Sequence, residues 1–428
     1  MLDALIVGGG VAGLEAALTL KANGLSVRLL EASERVGGAV STRLRSGFRA
    51  ELGASTVRAD GALLQARCRD FDLPLQRVGA GSARRKGVLT SAGLTYLAGP
   101  GDLMRSRLLS VKGKLRALAE PLQRAGDDPD ESLRSFMERR LGAEAGGLVA
   151  PLMARGVYAA PAEQLAVRTA FPRIWSMERR GGLIRSLAKT ASPGIASLPG
   201  GLGALARGYA ERLASEVVRG ARVRSVDRDG LRWIVDDGER SWEARQLILA
   251  LPSTVAASLL RALDEPLGEA VAAIRTSPLT SVQLAYGQQE LPDAFGFLVH
   301  PSAGGETLGC VFASRLDPSC APRGAALLTC LVGASSDPAV SACAAVERAL
   351  GWRTAPEHIW MTPYPDGLPR YDAEQDRLRP VIEQRTAALS GLQIAGNYLH
   401  GISVEGALQS GRRAAEQVLR SQAERKVA

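Results

Sequence analysis

A mixed α/β fold is predicted, with one twisted sheet assembled from separated stretches of chain, a second mixed sheet, and a helical section between them. Three observations carry that reading. The chain opens Ala4-Leu5-Ile6-Val7, then Gly8-Gly9-Gly10-Val11-Ala12-Gly13, and reaches Val27-Arg28-Leu29-Leu30-Glu31. This is a buried strand, a glycine turn, a helix and a second strand ending on an acid. Far along the chain, Gln246-Leu247-Ile248-Leu249-Ala250-Leu251-Pro252 and Leu392-Gln393-Ile394-Ala395-Gly396-Asn397 read as buried strands returning to the same sheet. Between them, residues 270–370 are strand-rich with Pro and Gly punctuation, which suits a separate sheet.

In the first turn only glycine lets the backbone approach a pyrophosphate, and the following helix offers its amides and positive dipole end to that anion. Lys21-Ala22-Asn23-Gly24 then closes the helix with a cation and a glycine stop. Glu31, eighteen positions past Gly13, is placed to accept hydrogen bonds from a ribose 2′-OH and repels a 2′-phosphate, which favours FAD or NAD over NADP. Gly37-Gly38 follows the acid and lies outside the minimal NAD fingerprint. It resembles the doublet that flavin-dependent amine oxidases, desaturases and porphyrinogen oxidases set against the same pyrophosphate. An FAD-binding, Rossmann-like domain of the glutathione-reductase type is therefore expected, with FAD held non-covalently. No Cys follows Cys343, and His400 is the one candidate for a covalent flavin link. The late strand feeds Gly401-Ile402-Ser403-Val404 and a helix from about Gly406, a turn suited to hold the electron-rich N1/O2 edge of a reduced isoalloxazine.

At 428 residues and 46% hydrophobic content the chain can bury more than one core, so two or three domains are expected. Met1-Leu2-Asp3 leads straight into the first strand, leaving no room for a signal peptide, and no apolar run approaches a membrane span. A cytoplasmic protein is expected. Cys68, Cys310, Cys320, Cys330 and Cys343 are odd in number and lack a CxxC, which points to reduced core thiols, and with only three histidines no metal is expected.

The formal charge is +9, concentrated between Arg84 and Arg124, where only Asp102 and Glu120 oppose the cations. Nucleic acid is excluded as partner, because Tyr96 alone is interleaved as a stacking platform. An anionic membrane surface or an acidic substrate remains. Met104, Leu108, Val111, Leu115, Leu118 and Leu122 form one apolar stripe if their segment is helical, flanked by Arg105, Lys112 and Arg116 on one side and Arg107 and Lys114 on the other. Such a helix packs on a core or lies in a bilayer interface. A second helix, through Leu133, Phe136, Met137 and Leu141, starts after the acidic 127–131 turn and ends near Gly142.

The middle of the chain resembles the oxygen-dependent protoporphyrinogen oxidase family, within the flavin amine oxidase superfamily. The resemblance lies in Ser106-Arg107-Leu108-Leu109-Ser110, Gly113-Lys114-Leu115-Arg116, Glu138-Arg139-Arg140-Leu141-Gly142, Gly156-Val157-Tyr158-Ala159 and Ala170-Phe171-Pro172-Arg173. It continues through Gly296-Phe297-Leu298-Val299, Leu308-Gly309, Gly396-Asn397-Tyr398 and Gln409-Ser410-Gly411, so it covers nearly the whole chain in order. Amine oxidases share only its two ends.

The resemblance implies an FAD domain from residues 1–80, 196–258 and 385–428, and a substrate domain from 81–90, 155–195 and 259–384. Residues 91–154 would form a helical, membrane-contacting domain. It implies oxidation of protoporphyrinogen IX to protoporphyrin IX in haem synthesis, with six hydrogens removed over three flavin cycles, O2 as electron acceptor and hydrogen peroxide as product. Aromatisation drives the chemistry, so no side-chain base is obligatory and no catalytic residue is assigned. The implied FAD contacts are Gly8, Gly9, Gly10, Val11, Ala12, Gly13, Glu31, Ala32, Gly38, Ala39, Gly53, Ala54, Ser55, Thr56, Val223, Asn397, Ser403 and Val404. Arg85 and Lys86 match the family's propionate-binding cation, and Leu298, Val311 and Leu331 its apolar walls. A peripheral location on the inner face of the cell membrane, a homodimer, and contact with the next enzyme of the haem pathway are implied as well.

Two departures stand out. The family's Trp, Pro-Gln-Tyr and Gly-His positions are here Tyr364, Pro369-Arg370-Tyr371 and Glu374-Gln375, and its Pro after Glu51-Leu52-Gly53 is Ala54. Coproporphyrinogen oxidation, another amine or polyene oxidase activity, and a non-catalytic flavin-binding partner are the alternative readings.

Overall fold

The computed structural model describes residues 1–189 and 194–427. Residues 190–193, inside the expected substrate domain, and residue 428 lie outside the described residues. The first strand, Leu2–Val7, pairs in parallel with Val27–Leu30 on one side and Ser241–Leu249 on the other, and Leu392–Ile394 lies parallel beyond the latter. Its alternate residues serve two cores. Ala4 and Ile6 pack with helices Val11–Ala22, Gly203–Leu213 and Val404–Val427. Leu5 and Val7 pack with helices Ser253–Arg261, Glu265–Ala272 and Ala373–Ala388. Burial on both faces is why the strand reads as an unbroken apolar run.

The second sheet has seven strands, in the order His358–Pro369, Thr276–Gln288, Ala325–Val332, Thr307–Val311, Gly296–Val299, Lys86–Thr90, Gly93–Leu97. One face, with Val282, Leu284, Phe297, Val299, Cys310, Cys330 and Val332, is sealed by helix Pro338–Leu350 through Ala342, Ala345 and Val346. Cys68, Cys310, Cys320 and Cys330 are buried and Cys343 is half-buried, and all five are free thiols. Burial pushes the Cys68 thiol up to about 11 and that of Cys320 to about 12, which makes both inert near neutrality.

Helices Leu133–Leu141 and Ala143–Tyr158 form the centre of the helical section. Ser132 caps the first through the Ser135 amide, and Gly142, at φ +86°, breaks it from the second. Arg140, 1% exposed, is held by Glu120 and Glu178, whose side chains are fully buried. Glu120 also accepts from the amides of Leu183 (2.9 Å) and Ile184 (3.1 Å). Removing one member of such a set leaves an uncompensated buried charge.

The expected segment boundaries shift in four places. Gly93–Leu97 is a sheet strand paired with Lys86–Thr90, so the helical section begins near Pro100 and not at 91. Its far boundary at 154 would cut helix Ala143–Tyr158, and Tyr158, Leu165, Val167 and Leu183 share a core with Leu133 and Phe136. Leu259, Leu260, Leu267 and Val271 pack on the first sheet, as does Ile382, so neither 258 nor 384 divides the cores. In each case long-range packing decides the membership, and local patterning does not encode it. The apolar stripe is likewise two helices, Pro100–Arg105 and Val111–Leu118, separated by a non-helical 106–110 segment.

Candidate functional site

The turn after the first strand has the form a dinucleotide needs. Gly8 sits at φ +108°, and a Cβ on Gly13 would lie 1.9 Å from the Gly8 carbonyl oxygen, so those two glycines serve the turn and the close helix–strand approach. A Cβ on Gly10 would meet nothing within 4 Å. That position faces open space, as a phosphate-approach glycine requires. The Glu31 carboxylate accepts from the Gly9 amide (2.7 Å) and the Ser33 amide (2.8 Å), which holds it beside the turn. Gly37 donates to the Gly9 carbonyl (2.7 Å), bringing the doublet against the turn, with Gly38 at φ +57°.

Among the remaining expected contacts, Ala39 meets Gly53 and Ala54. Ala54 donates to the Ala39 carbonyl (3.0 Å), and a Cβ on Gly53 would lie 2.4 Å from that oxygen and 2.8 Å from the Tyr364 hydroxyl. Ala32, Gly38, Ala39 and Ser403 are exposed. Gly10, Glu31, Gly53, Ala54, Ser55, Thr56, Val223, Asn397 and Val404 are half-buried. Val11 and Ala12 are buried in the helix and contribute their place at its N-terminal turn. An extended cofactor fits this cradle: open glycine backbone at a helix N-terminus, an acid at the second strand's end, and a second glycine turn at Gly401, φ +116°, also facing open space.

The other face of the second sheet is shared: Val88 and Leu298 pack towards helix Ala143–Tyr158, Ala285 and Leu327 pack on Phe48 and Ala50, and Val311 and Thr329 lie between them. Leu298 is the single position in Gly296–Val299 that is not buried, Val311 is the single such position in Thr307–Val311, and Leu331 is one of two in Ala325–Val332. Leu298, Gly309 and Leu331 are direct neighbours across three strands, and Val311 lies beside Thr329. Ser55, Thr56, Glu51 and Val311 line one pocket with Thr329, so the expected cofactor loop and the expected wall meet there.

Arg85 and Lys86 diverge, because adjacent strand residues point to opposite faces. Lys86 lies two residues from Val88, which pairs with Leu298, and so belongs to the face that packs on helix Ala143–Tyr158 and carries the expected wall. The residue is exposed, but its ammonium lies 5.8 Å over the Phe295 ring, and burial pushes it below the usual lysine range. The Arg85 guanidinium stacks 4.8 Å over the Tyr96 ring, on the face sealed by helix Pro338–Leu350.

The family model described as flavin containing amine oxidoreductase matches residues 11–419, nearly the whole chain. The chain belongs to the flavin containing amine oxidoreductase family. It is an FAD-dependent oxidoreductase. Among curated members, it is 30% identical to protoporphyrinogen oxidase of Homo sapiens over 97% of this chain and 98% of that protein. It is 28% identical to protoporphyrinogen oxidase 1, chloroplastic, of Spinacia oleracea over 96% of this chain and 83% of that one. The fold superposes on a crystal structure from Exiguobacterium sp. 255-15 with TM-score 0.85 at 22% identity, covering 97% of this chain and 98% of that chain.

Three residues that bond or border the expected contact segments were outside the expected set. Glu51 accepts from Thr42 (2.8 Å) and from the Leu202 amide (2.9 Å), and burial raises its carboxyl to about 7. Tyr371 and Gln375 bond to the 397–401 loop. Glu51 precedes the recognisable Leu52-Gly53 and was legible as an acid in an apolar context; its partner Leu202 is 151 positions away and was not. His400 is pushed down to about 4, by burial first and then by Arg413 and Arg379, so its imidazole is neutral.

Proposed function

We propose that this chain oxidises protoporphyrinogen IX to protoporphyrin IX with O2. The observation that carries the proposal is the match to protoporphyrinogen oxidases along essentially the full length of both chains. Bound FAD supplies a two-electron acceptor that returns its electrons to O2. The chain's residues supply the rest. Leu298, Val311 and Leu331 offer an apolar wall to a tetrapyrrole ring, and Lys86, on the same sheet face, offers a point charge to a propionate. Gly53 to Thr56 bring cofactor-side backbone to the edge of that wall, so ring carbons approach the cofactor while water is displaced.

Anaerobic mixing with protoporphyrinogen should bleach the flavin and raise porphyrin fluorescence in proportion. Bleaching with coproporphyrinogen alone would reassign the substrate. No bleaching with either, at full FAD occupancy, would defeat the proposal.

The same reading includes a peripheral site on an anionic membrane. No described helix is long and apolar enough to cross one. Support comes from the Val111–Leu118 helix and the turn that follows, where Val111, Leu115, Leu118 and Leu122 are 57–79% exposed with Lys112 and Lys114 interspersed. Leu109 and Ala117 anchor the opposite side to the core.

A further inference from the structure

The loop 397–401 joins the last strand of the first sheet to the C-terminal helix and borders the open glycine turn at Gly401. Its own backbone leaves polar groups to be satisfied from elsewhere. Tyr371 supplies two of the partners with one hydroxyl, donating to the Asn397 carbonyl (2.7 Å) and accepting from the Gly401 amide (2.5 Å). Gln375 supplies a third, its side-chain amide donating to the Tyr398 carbonyl (2.7 Å). Both side chains are almost fully buried, at 4% and 2% exposed. They come from the end of the His358–Pro369 strand and the start of helix Ala373–Ala388, where Asp372 caps the helix through the Gln375 amide (2.8 Å).

The hold extends outward. The Tyr371 carbonyl accepts from the Ala166 amide (3.0 Å), and its ring lies 5.7 Å from that of Tyr158. Tyr158 ends helix Ala143–Tyr158 and is itself fixed by its hydroxyl to the Ala170 carbonyl (2.7 Å). One tyrosine thus touches the helical section with its ring and the cofactor loop with its hydroxyl.

We propose that Tyr371 and Gln375 are positioning residues that hold the 397–401 loop in the shape that receives the flavin, with Tyr158 tying that hold to the helical section. The proposal rests on this loop facing the flavin and is independent of which substrate is oxidised. Gln375 needs only a hydrogen-bond donor for this task, so histidine, with a ring N–H, can replace it.

The test uses the full chain, prepared flavin-free and titrated with FAD. In Tyr371→Phe the ring packing survives and only the hydroxyl is lost. The expected result is an FAD Kd raised about tenfold, the weight of one or two buried hydrogen bonds, together with faster amide exchange confined to 396–404 in the flavin-free protein. Gln375→Leu should behave likewise, and Gln375→His should recover the parent's Kd and exchange. Unchanged Kd and exchange in Tyr371→Phe would overturn the proposal. So would Gln375→His as impaired as Gln375→Leu, because burial and not the donor would then be at work. A parent chain that binds no FAD would overturn it together with the flavin assignment.

Discussion

Lys86 and Arg85 are neighbours in sequence with opposite surroundings, and kinetics should separate them. A charge-assisted contact at a partly buried site is worth roughly 1.5–3 kcal/mol. Lys86→Ala should therefore lower kcat/KM for porphyrinogen about ten- to hundredfold with the flavin spectrum intact. Arg85→Ala, which removes a guanidinium stacked on Tyr96 at the sealed face, should leave kcat/KM near the parent value. Equal losses in both variants would remove the assignment to Lys86.

Glu51 gives a pH signature. Burial raises its carboxyl from an ordinary 4.5 to about 7, against the opposing donors Thr42 and Leu202 and the nearby Arg49, while Asp317 adds to the rise. The unfolded chain releases this proton more readily than the folded one, so between about pH 4.5 and 7 rising pH removes stability, by about 3 kcal/mol at most. Glu51→Gln should melt higher than the parent at pH 8 and like the parent at pH 4.5. A parallel pH dependence in both proteins would show that Glu51 is not the titrating group.

Among the elements, the Val111–Leu118 helix shows how one pattern divides between two roles. Periodicity alone left the stripe open to core packing or interface, and the fold splits it. Met104 and Leu108 lean on the core with Leu109, whereas Val111, Leu115, Leu118 and Leu122 face outward. Arg116 turns inward to the carbonyls of Arg139 (2.7 Å) and Arg140 (3.1 Å), so it does not serve the outer face. Lysines near an anionic surface contribute about 1 kcal/mol each. Reversing Lys112 and Lys114 to Glu should weaken binding to phosphatidylserine vesicles by more than tenfold, and added salt should weaken the parent. Vesicle binding that ignores both changes would dissociate this helix from membranes.

For the molecule as a whole, the expected cofactor contacts lie mainly in residues 8–13, 31–39, 53–56 and 397–404, towards the two ends of the chain. FAD held in this way is expected to be non-covalent. Acid precipitation should leave yellow flavin in the supernatant, and flavin retained in the pellet would point to a bond such as one to His400. The sequence by itself determined the glycine turn and the acid after the second strand, because each is a local pattern: backbone freedom and strand length act within a few residues. Only the tertiary structure decided which helices share a core, that Arg85 and Lys86 have different surroundings, and that Tyr371 and Gln375 hold the 397–401 loop. Those outcomes depend on partners such as Tyr371 with Tyr158, or Glu51 with Leu202, more than 150 positions apart. No local propensity records which distant side chain will satisfy a buried backbone carbonyl or amide; the closed fold does, because leaving such a group unpaired away from water costs about as much as a lost hydrogen bond.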